Sequence, residues 1–138
     1  IGDKTAEEVK IKIGAAVHLE EELRVTIKGR DYIQGLPRSV QVGTNEIVKA
    51  IDNELKQIIK AIKDVLQETP PELASDIIDH GIIMTGGSSL LRNFADLVYR
   101  KTGVKATIAE DARFCVVKGT GIALEHLEVY KKTVLTKR

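Results

Sequence analysis

The sequence predicts an α/β fold: strand, helix, strand, helix in its second half, preceded by a hairpin and one long helix. Three features carry that expectation. The run Ile82-Ile83-Met84 is short, apolar and bounded by turn residues, as in a strand buried on both faces. Residues 44–68 repeat apolar side chains at the helical period. Residues 23–28 (LRVTIK) alternate apolar and polar residues, as a half-buried strand does. Hydrophobic strands interleaved with amphipathic helices specify stacked layers joined by a right-handed crossover.

The elements follow in order. In residues 5–13 (TAEEVKIKI), Thr5 can cap a helix, Glu8 completes a capping box, and Glu7 and Glu8 suit the positive helix end. The same residues alternate, with Val9, Ile11 and Ile13 against Lys10 and Lys12, which also fits a strand. Pattern alone leaves both open, and Gly14 can end either. Leu23, Val25 and Ile27 then share one strand face. Gly29-Arg30-Asp31 is expected to turn the chain, and residues 32–42 to return as an extended segment interrupted at Gly35 and Pro37. Proline places that segment at an edge or a bulge. Thr44 is expected to cap the long helix, with Glu46 in its first turn. At about 1.5 Å per residue this helix spans roughly 37 Å, enough to run from one lobe into another.

Thr69 reads as the next N-cap, Pro70 as the first helical residue and Glu72 as the capping-box partner. That helix should bury Leu73, Ile77 and Ile78 and close at His80-Gly81. After the strand at 82–84, Gly86-Gly87 leads into a helix over residues 88–101, with Leu90, Leu91, Phe94, Leu97 and Val98 inward and Gly103 as its stop. Residues 104–109 form a second strand and residues 112–132 a last helix, interrupted at Gly119-Thr120-Gly121. Each of those glycines costs a helix about 1 kcal/mol relative to alanine, so close packing is expected there.

Composition sets limits. The 138 residues, 43% hydrophobic and 30% charged with a net charge of +1, suffice for one domain or two small lobes and exclude a disordered chain. The near-neutral balance argues against nucleic acid as a partner, since a binder would carry a basic stripe. No apolar run approaches the roughly 18 residues of a membrane-spanning helix. Cys115 stands alone, which suits a reducing cytosol, and beside Val116 and Val117 it reads as a core thiol. His18, His80 and His126 lack metal-ligand spacing, so no metal site is expected. Tyr130, Lys131, Lys132, Lys137 and Arg138 form a basic, solvated tail. The chain opens at Ile1 with neither methionine nor a leader pattern, and reads as part of a longer protein.

Two places carry chemistry. Thr85-Gly86-Gly87-Ser88-Ser89 lies beyond the carboxyl end of a predicted parallel strand, where open α/β sheets bind ligands. Its glycines admit close approach of a ligand, and amides at a helix start favour an anion or polar ring. A tight turn without a ligand is the plainer alternative. Glu7 and Lys10 share a face if their segment is helical, and together they can hydrogen-bond ribose hydroxyls or a base edge. By themselves they read more simply as a surface salt bridge.

In combination the motifs are specific. TAEEVKIKIGAA, the hairpin with RDYIQGLPRSVQV, the long helix ending in TPPELASDI, GIIMTGGSSLLRN and IAEDARFCVVKGTGIALE together resemble the C-terminal half of the MreB family, over residues 1–125. These are bacterial actin homologues that set rod shape. The resemblance makes residues 5–13 a helix. It implies an actin-like, ribonuclease-H-like ATPase lobe, with the smaller subdomain at residues 14–66 and residues 1–13 and 67–138 in the larger one. It implies ATP in a cleft between two lobes. Here Glu7, Glu8, Val9 and Lys10 match the helix that meets ribose and adenine, and Gly86, Gly87, Ser88 and Ser89 match the glycine loop beneath the nucleoside. Ser88 stands where most relatives carry a third glycine, which a serine with negative φ can replace.

The family's two phosphate loops, its Mg2+-proximal aspartates and its catalytic glutamate are not visible in these residues. The resemblance therefore implies a parent that is a slow ATPase and forms filaments in the cytoplasm at the inner face of the membrane. It would meet the membrane and the cell-wall elongation machinery through other parts. The 138 residues alone are not expected to hydrolyse ATP. Two alternatives remain at this stage. One is another actin-superfamily member, such as a chaperone ATPase, a sugar kinase or a cell-division homologue. The other is a nucleotide-free interaction module.

Overall fold

A computed structural model describes residues 1–134. The first element is a helix, α1 (Asp3–Ile13), with Gly2 as its N-cap and Asp3 in its first turn. It begins two residues before Thr5, so the expected Thr5–Glu8 capping box is not made. Burial decides between its two periods. Val9 and Ile13 are buried while Ile11 is 71% exposed, which a strand with all three on one face would not give.

The hairpin pairs β1 (Arg24–Arg30) with β2 (Pro37–Gly43), antiparallel, from Arg24 opposite Gly43 to Arg30 opposite Pro37. Val25 and Ile27 are half-buried, and Arg24, Thr26 and Lys28 exposed, as the alternation requires. The turn lies later than the expected Gly29-Arg30-Asp31. Strand pairing continues through Arg30, and the Asp31 carboxylate accepts the amide protons of Ile33 and Gln34, both at 2.9 Å. Such an Asx-type turn competes effectively with the local glycine signal. Gly35, at φ +70°, then returns the chain to Pro37 at the head of β2, an edge position.

The long helix α2 (Thr44–Glu68) has the predicted bounds but a different cap. Gly43 is the N-cap, and Thr44 is the first helical residue, fully buried, its hydroxyl donating to the Leu23 carbonyl. Two carboxylates satisfy the free amides of the helix start. Glu46 accepts the Gly43 N–H at 3.4 Å, and Glu22 accepts the Asn45 N–H at 2.9 Å. The Asn45 side chain accepts the Leu19 N–H and donates to the Leu19 carbonyl, binding the incoming segment to the helix. Leu55 and Ile59 of α2 join Ala16, Met84, Phe94 and Val98 in the hydrophobic core.

Thr69 ends α2 instead of starting its successor, its hydroxyl donating to the Val65 carbonyl at 2.7 Å. The next helix, α3 (Pro71–His80), has Pro70 as N-cap and Pro71 as first residue, one position later than expected. Leu73 and Ile78 are 54% and 69% exposed, so the anticipated burial of this face is not present. Of the three residues expected to be buried, only Ile77 is half-buried.

Strand β3 (Ile82–Met84) pairs in parallel with β4 (Ala106–Ile108). Met84 is buried but Ile83 is 71% exposed, so β3 is covered on one face rather than both. The helix expected over 88–101 is divided into a 3₁₀ turn (Gly87–Leu90) and α4 (Phe94–Thr102). The break falls at Asn93, which adopts the left-handed conformation at φ +59°. Arg92, just before it, forms a parallel bridge with Ala15. Gly103 ends α4 at φ +77°, as anticipated.

A 3₁₀ turn (Ala112–Phe114) leads into α5 (Cys115–Glu125) and α6 (Leu127–Val134). The interruption lies at His126, not at the glycines. A Cβ on Gly119 or Gly121 would meet nothing within 4 Å, so the close packing expected there is not seen. Cys115 is only partly buried, and Val116 and Val117 are 76% and 63% exposed, which removes them from the core. Of the anticipated basic tail, Tyr130 and Lys131 are exposed in α6, while Lys137 and Arg138 lie outside the described residues.

Candidate functional site

The glycine turn begins one residue after β3. Gly86 sits at φ +86°, ψ 165°, a conformation open essentially only to glycine. Nothing lies within 4 Å of where its Cβ would be. Backbone conformation demands the glycine here, and the space beside it is open. Its carbonyl accepts the Ser89 hydroxyl at 2.7 Å and the Ser89 amide at 3.3 Å. Ser89 is 4% exposed, so its hydroxyl holds the turn in shape. Among the described residues only Asn93 and Asp111 combine a side chain with positive φ, so Ser88 occupies its position without strain. Gly87 and Ser88 are exposed. One part of the chemical argument changes: α4 starts at Phe94, so no α-helix N-terminus points from the glycine pair.

On α1, Glu7 and Lys10 form an ion pair with both side chains about half exposed. Glu8 is exposed, and the Val9 side chain is buried in the core and anchors the helix. The two clusters share a scaffold. Gly14 follows α1, and a Cβ there would lie 3.1 Å from Leu91 Cδ1 and 2.3 Å from the Lys10 carbonyl oxygen. The Ala16 N–H donates to the Arg92 carbonyl at 2.8 Å. The C-terminal end of α1 is thereby fixed to the segment leaving the glycine turn. Among the described residues no hydrogen bond or ion pair joins Glu7 or Lys10 to the turn itself.

A third segment meets the glycine turn, and sequence reasoning passed over it. The Gly86 N–H donates to the Ala112 carbonyl at 2.7 Å, and a Cβ on Gly87 would lie 3.9 Å from Arg113 Cγ. Arg113 is exposed, with its guanidinium 5.6 Å from the centre of the Phe114 ring. The available signal was topological: residues 110–114 follow β4 as the glycines follow β3, so parallel pairing brings both to one sheet end. Just before, Asp111 adopts φ +50° and accepts from Lys118 Nζ at 2.5 Å. That ammonium, by hydrogen bond and by charge, holds the Asp111 carboxyl below the usual carboxylate range.

Neither of two surface clefts includes these groups. One, about 500 Å³, lies between α2 and α4, lined by Ala16, Val48, Lys49, Leu97, Arg100 and Lys101 among others. The other, about 270 Å³, lies against the hairpin near Ile1, Arg30 and Arg38. Among the described residues no group of His, Cys, Asp and Glu could hold a metal ion. No helix among them is long and apolar enough to cross a membrane.

A parallel strand pair ending in a glycine turn, a helix presenting a carboxylate and an ammonium, and a hairpin carried on one long helix define part of an actin-like α/β lobe. Comparison with known proteins agrees. The model of the MreB/Mbl protein family matches residues 1–132, and the chain belongs to that family. It is 42% identical over 135 residues to the cell shape-determining protein Mbl of Bacillus cereus, covering 98% of this chain and 40% of that protein. Against the cell shape-determining protein MreB of Escherichia coli K12 the identity is 40% over 130 residues, covering 94% of this chain and 38% of the relative. Crystal structures of MreB5 of Spiroplasma citri superpose with TM-scores of 0.85 (bound to ADP) and 0.86 (bound to AMPPNP), each at 36% identity. The chain covers 41% and 40% of those two chains, so it spans about two fifths of the relatives it matches.

Proposed function

We propose that these residues are the nucleoside-facing part of the second lobe of an ATP-binding cytoskeletal protein that polymerises and directs rod cell shape. The observation that carries this reading is the glycine turn. Gly86 is held in a glycine-only conformation, pinned by Ser89 and Ala112, with open space beside it. A turn held so firmly yet left uncovered suits close approach of a ligand. The nucleotides in the two Spiroplasma citri structures support the choice of ligand.

In this reading Glu7, Glu8 and Lys10 meet ribose and adenine from α1, with Val9 securing the helix. Gly86, Gly87, Ser88 and Ser89 form the floor beneath the nucleoside, and Arg113 flanks it. Residues 14–66 make the smaller subdomain, and residues 1–13 and 67–138 part of the larger. The phosphates and Mg2+ are held by parts of the protein outside these residues, so the 138-residue chain alone does not hydrolyse ATP. The parent is a slow ATPase that self-associates into filaments in the cytoplasm at the inner face of the membrane. It engages the membrane and the cell-wall elongation machinery through its other parts.

The test is nucleotide binding by the full-length parent, measured with a fluorescent ATP analogue. Replacing Gly86, Lys10 or Arg113 individually should weaken binding while the protein stays folded. Unchanged affinity in all three variants would return the segment to a structural turn beside a surface ion pair.

A further inference from the structure

We propose that the cleft between α2 and α4 is a docking site for an acidic peptide segment of another protein, one in which an apolar anchor is flanked by carboxylates on both sides. The cleft lies apart from the glycine turn, and the proposal does not depend on the nucleotide reading.

The cleft, about 500 Å³, has the size of a pocket that takes a small ligand or a few side chains. Its floor is apolar and fixed. Ala16 and Val48 are each 5% exposed, and Val17 and Leu97 are half-buried, leaving apolar surface open to a partner. The Ala16 N–H donates to the Arg92 carbonyl at 2.8 Å, and Phe94 and Val98 anchor α4 in the core beside Leu97. A surface already ordered in this way loses little freedom on binding.

The two banks carry positive charge that the chain leaves unanswered. Lys49 stands on α2, and Arg100 and Lys101 on α4. All three are exposed, and among the described residues none is in an ion pair. Acids do stand at pairing distance along each helix, but each is engaged elsewhere. Glu46, one turn before Lys49, accepts the Gly43 N–H at 3.4 Å. Asp52, one turn after it, is the only acid lining the cleft among the described residues, and it pairs with Lys56 at 2.5 Å. Asp96, one turn before Arg100, accepts from Asn93 Nδ2 at 3.0 Å.

This arrangement selects the occupant. Cations on both banks of an apolar floor call for carboxylates on both sides of an apolar anchor. A small free anion would satisfy the banks and leave the floor in water. A bilayer is flat and does not reach a floor closed by buried residues such as Ala16 and Val48. Nucleic-acid phosphates bring no aliphatic anchor. ATP carries all its charge at one end, so it does not bridge both banks around an anchor.

The test uses a fluorescent peptide with two leucines flanked on each side by glutamates, titrated into the full-length parent and followed by anisotropy. Binding should saturate below about 1 mM. Lys49→Glu and Arg100→Glu, both at exposed positions, should each weaken it about tenfold. Lys60→Glu makes the same charge change at an exposed position of α2 outside the cleft, and should alter it by less than about twofold. A peptide with both leucines replaced by serine should bind at least about tenfold more weakly. The thermal transition and ATP affinity should be the same in all three variants. Lys49→Gln and Arg100→Gln, which remove charge without reversing it, should follow the same order. No saturation by the unaltered protein, an equal loss in Lys60→Glu, or equal binding of the serine peptide overturns the proposal. So do cleft variants that lose binding to anionic phospholipid vesicles or single-stranded DNA but not to the peptide. So does sedimentation in which Lys49→Glu and Arg100→Glu change self-association while peptide binding is unaltered.

Discussion

The amide of Gly86 donates to the carbonyl of Ala112 at 2.7 Å, joining the two segments that follow the paired parallel strands. The bond crosses from the end of β3 to the end of β4 and makes one platform of a glycine turn and a 3₁₀ turn. The platform explains how a three-residue strand pair, open on one face, still ends in a defined edge.

Gly86→Ala should damage this platform through backbone strain. Its φ of +86° with ψ 165° is costly for any L side chain, by about 1–3 kcal/mol. Gly87→Ala should be milder, because its Cβ would make only an ordinary contact at 3.9 Å with Arg113. Thermal unfolding of the two variants, side by side, checks the difference, and equal destabilisation would argue against the conformational account.

Lys10→Ala and Glu7→Ala should leave folding nearly untouched, since both side chains are about half exposed and a surface pair stabilises by about 1 kcal/mol or less. In the full-length protein each should weaken nucleotide binding by about 1.5–3 kcal/mol, the worth of one charged hydrogen bond. That is roughly ten- to hundredfold in affinity. Competition binding reads it directly.

The hairpin tip should loosen in acid. The Gln34 amide, the Arg38 guanidinium and the Ile33 amide together hold the Asp31 carboxyl below its usual range. Because the folded value is the lower one, this contribution is complete above the ordinary aspartate value of about 3.9 and is lost as pH falls through the folded value. Amide exchange at Ile33 and Gln34 should accelerate below that range. Asp31→Asn should show weaker protection at neutral pH and little further change in acid.

Glu22→Ala should destabilise the chain by about 1 kcal/mol, the usual worth of a lost helix cap. The Glu22 carboxylate accepts the Asn45 amide 23 positions along the chain, and its removal leaves that donor to water. Chemical denaturation of the variant checks it. An unchanged midpoint would mean that Glu46 caps α2 alone.

These residues also show what periodicity can and cannot disclose. The bounds of α2 were legible because 25 residues of helical spacing overwhelm local ambiguity. Residues 5–13 offered both periods over a short span, and the family resemblance was needed to choose. The break at Asn93 was invisible, since a left-handed asparagine leaves the apolar spacing around it intact. The hairpin turn was misplaced because the Asp31 side chain, two and three residues from its partners, outweighs a glycine. Ile83, Ile78 and Cys115 read as core residues, yet Ile83 and Ile78 are mostly exposed and Cys115 is only partly buried, because apolar character alone does not say which face of a short element meets a neighbour. At the candidate site the glycine turn was marked in sequence by composition and position. Arg113 was not, because its proximity to Gly87 arises only when β3 and β4 pair.

The most direct test of the nucleoside-wall assignment is an NMR titration of the isolated 138-residue chain with ATP, taken to millimolar concentration. The account predicts weak, unsaturated binding, because phosphate and metal contacts come from elsewhere. Shifts should be confined to Glu7, Glu8, Lys10, Gly86, Gly87, Ser88, Ser89, Arg113 and their immediate neighbours. Micromolar affinity, or shifts centred on Lys49, Arg100 and Lys101 in the cleft between α2 and α4, would contradict it.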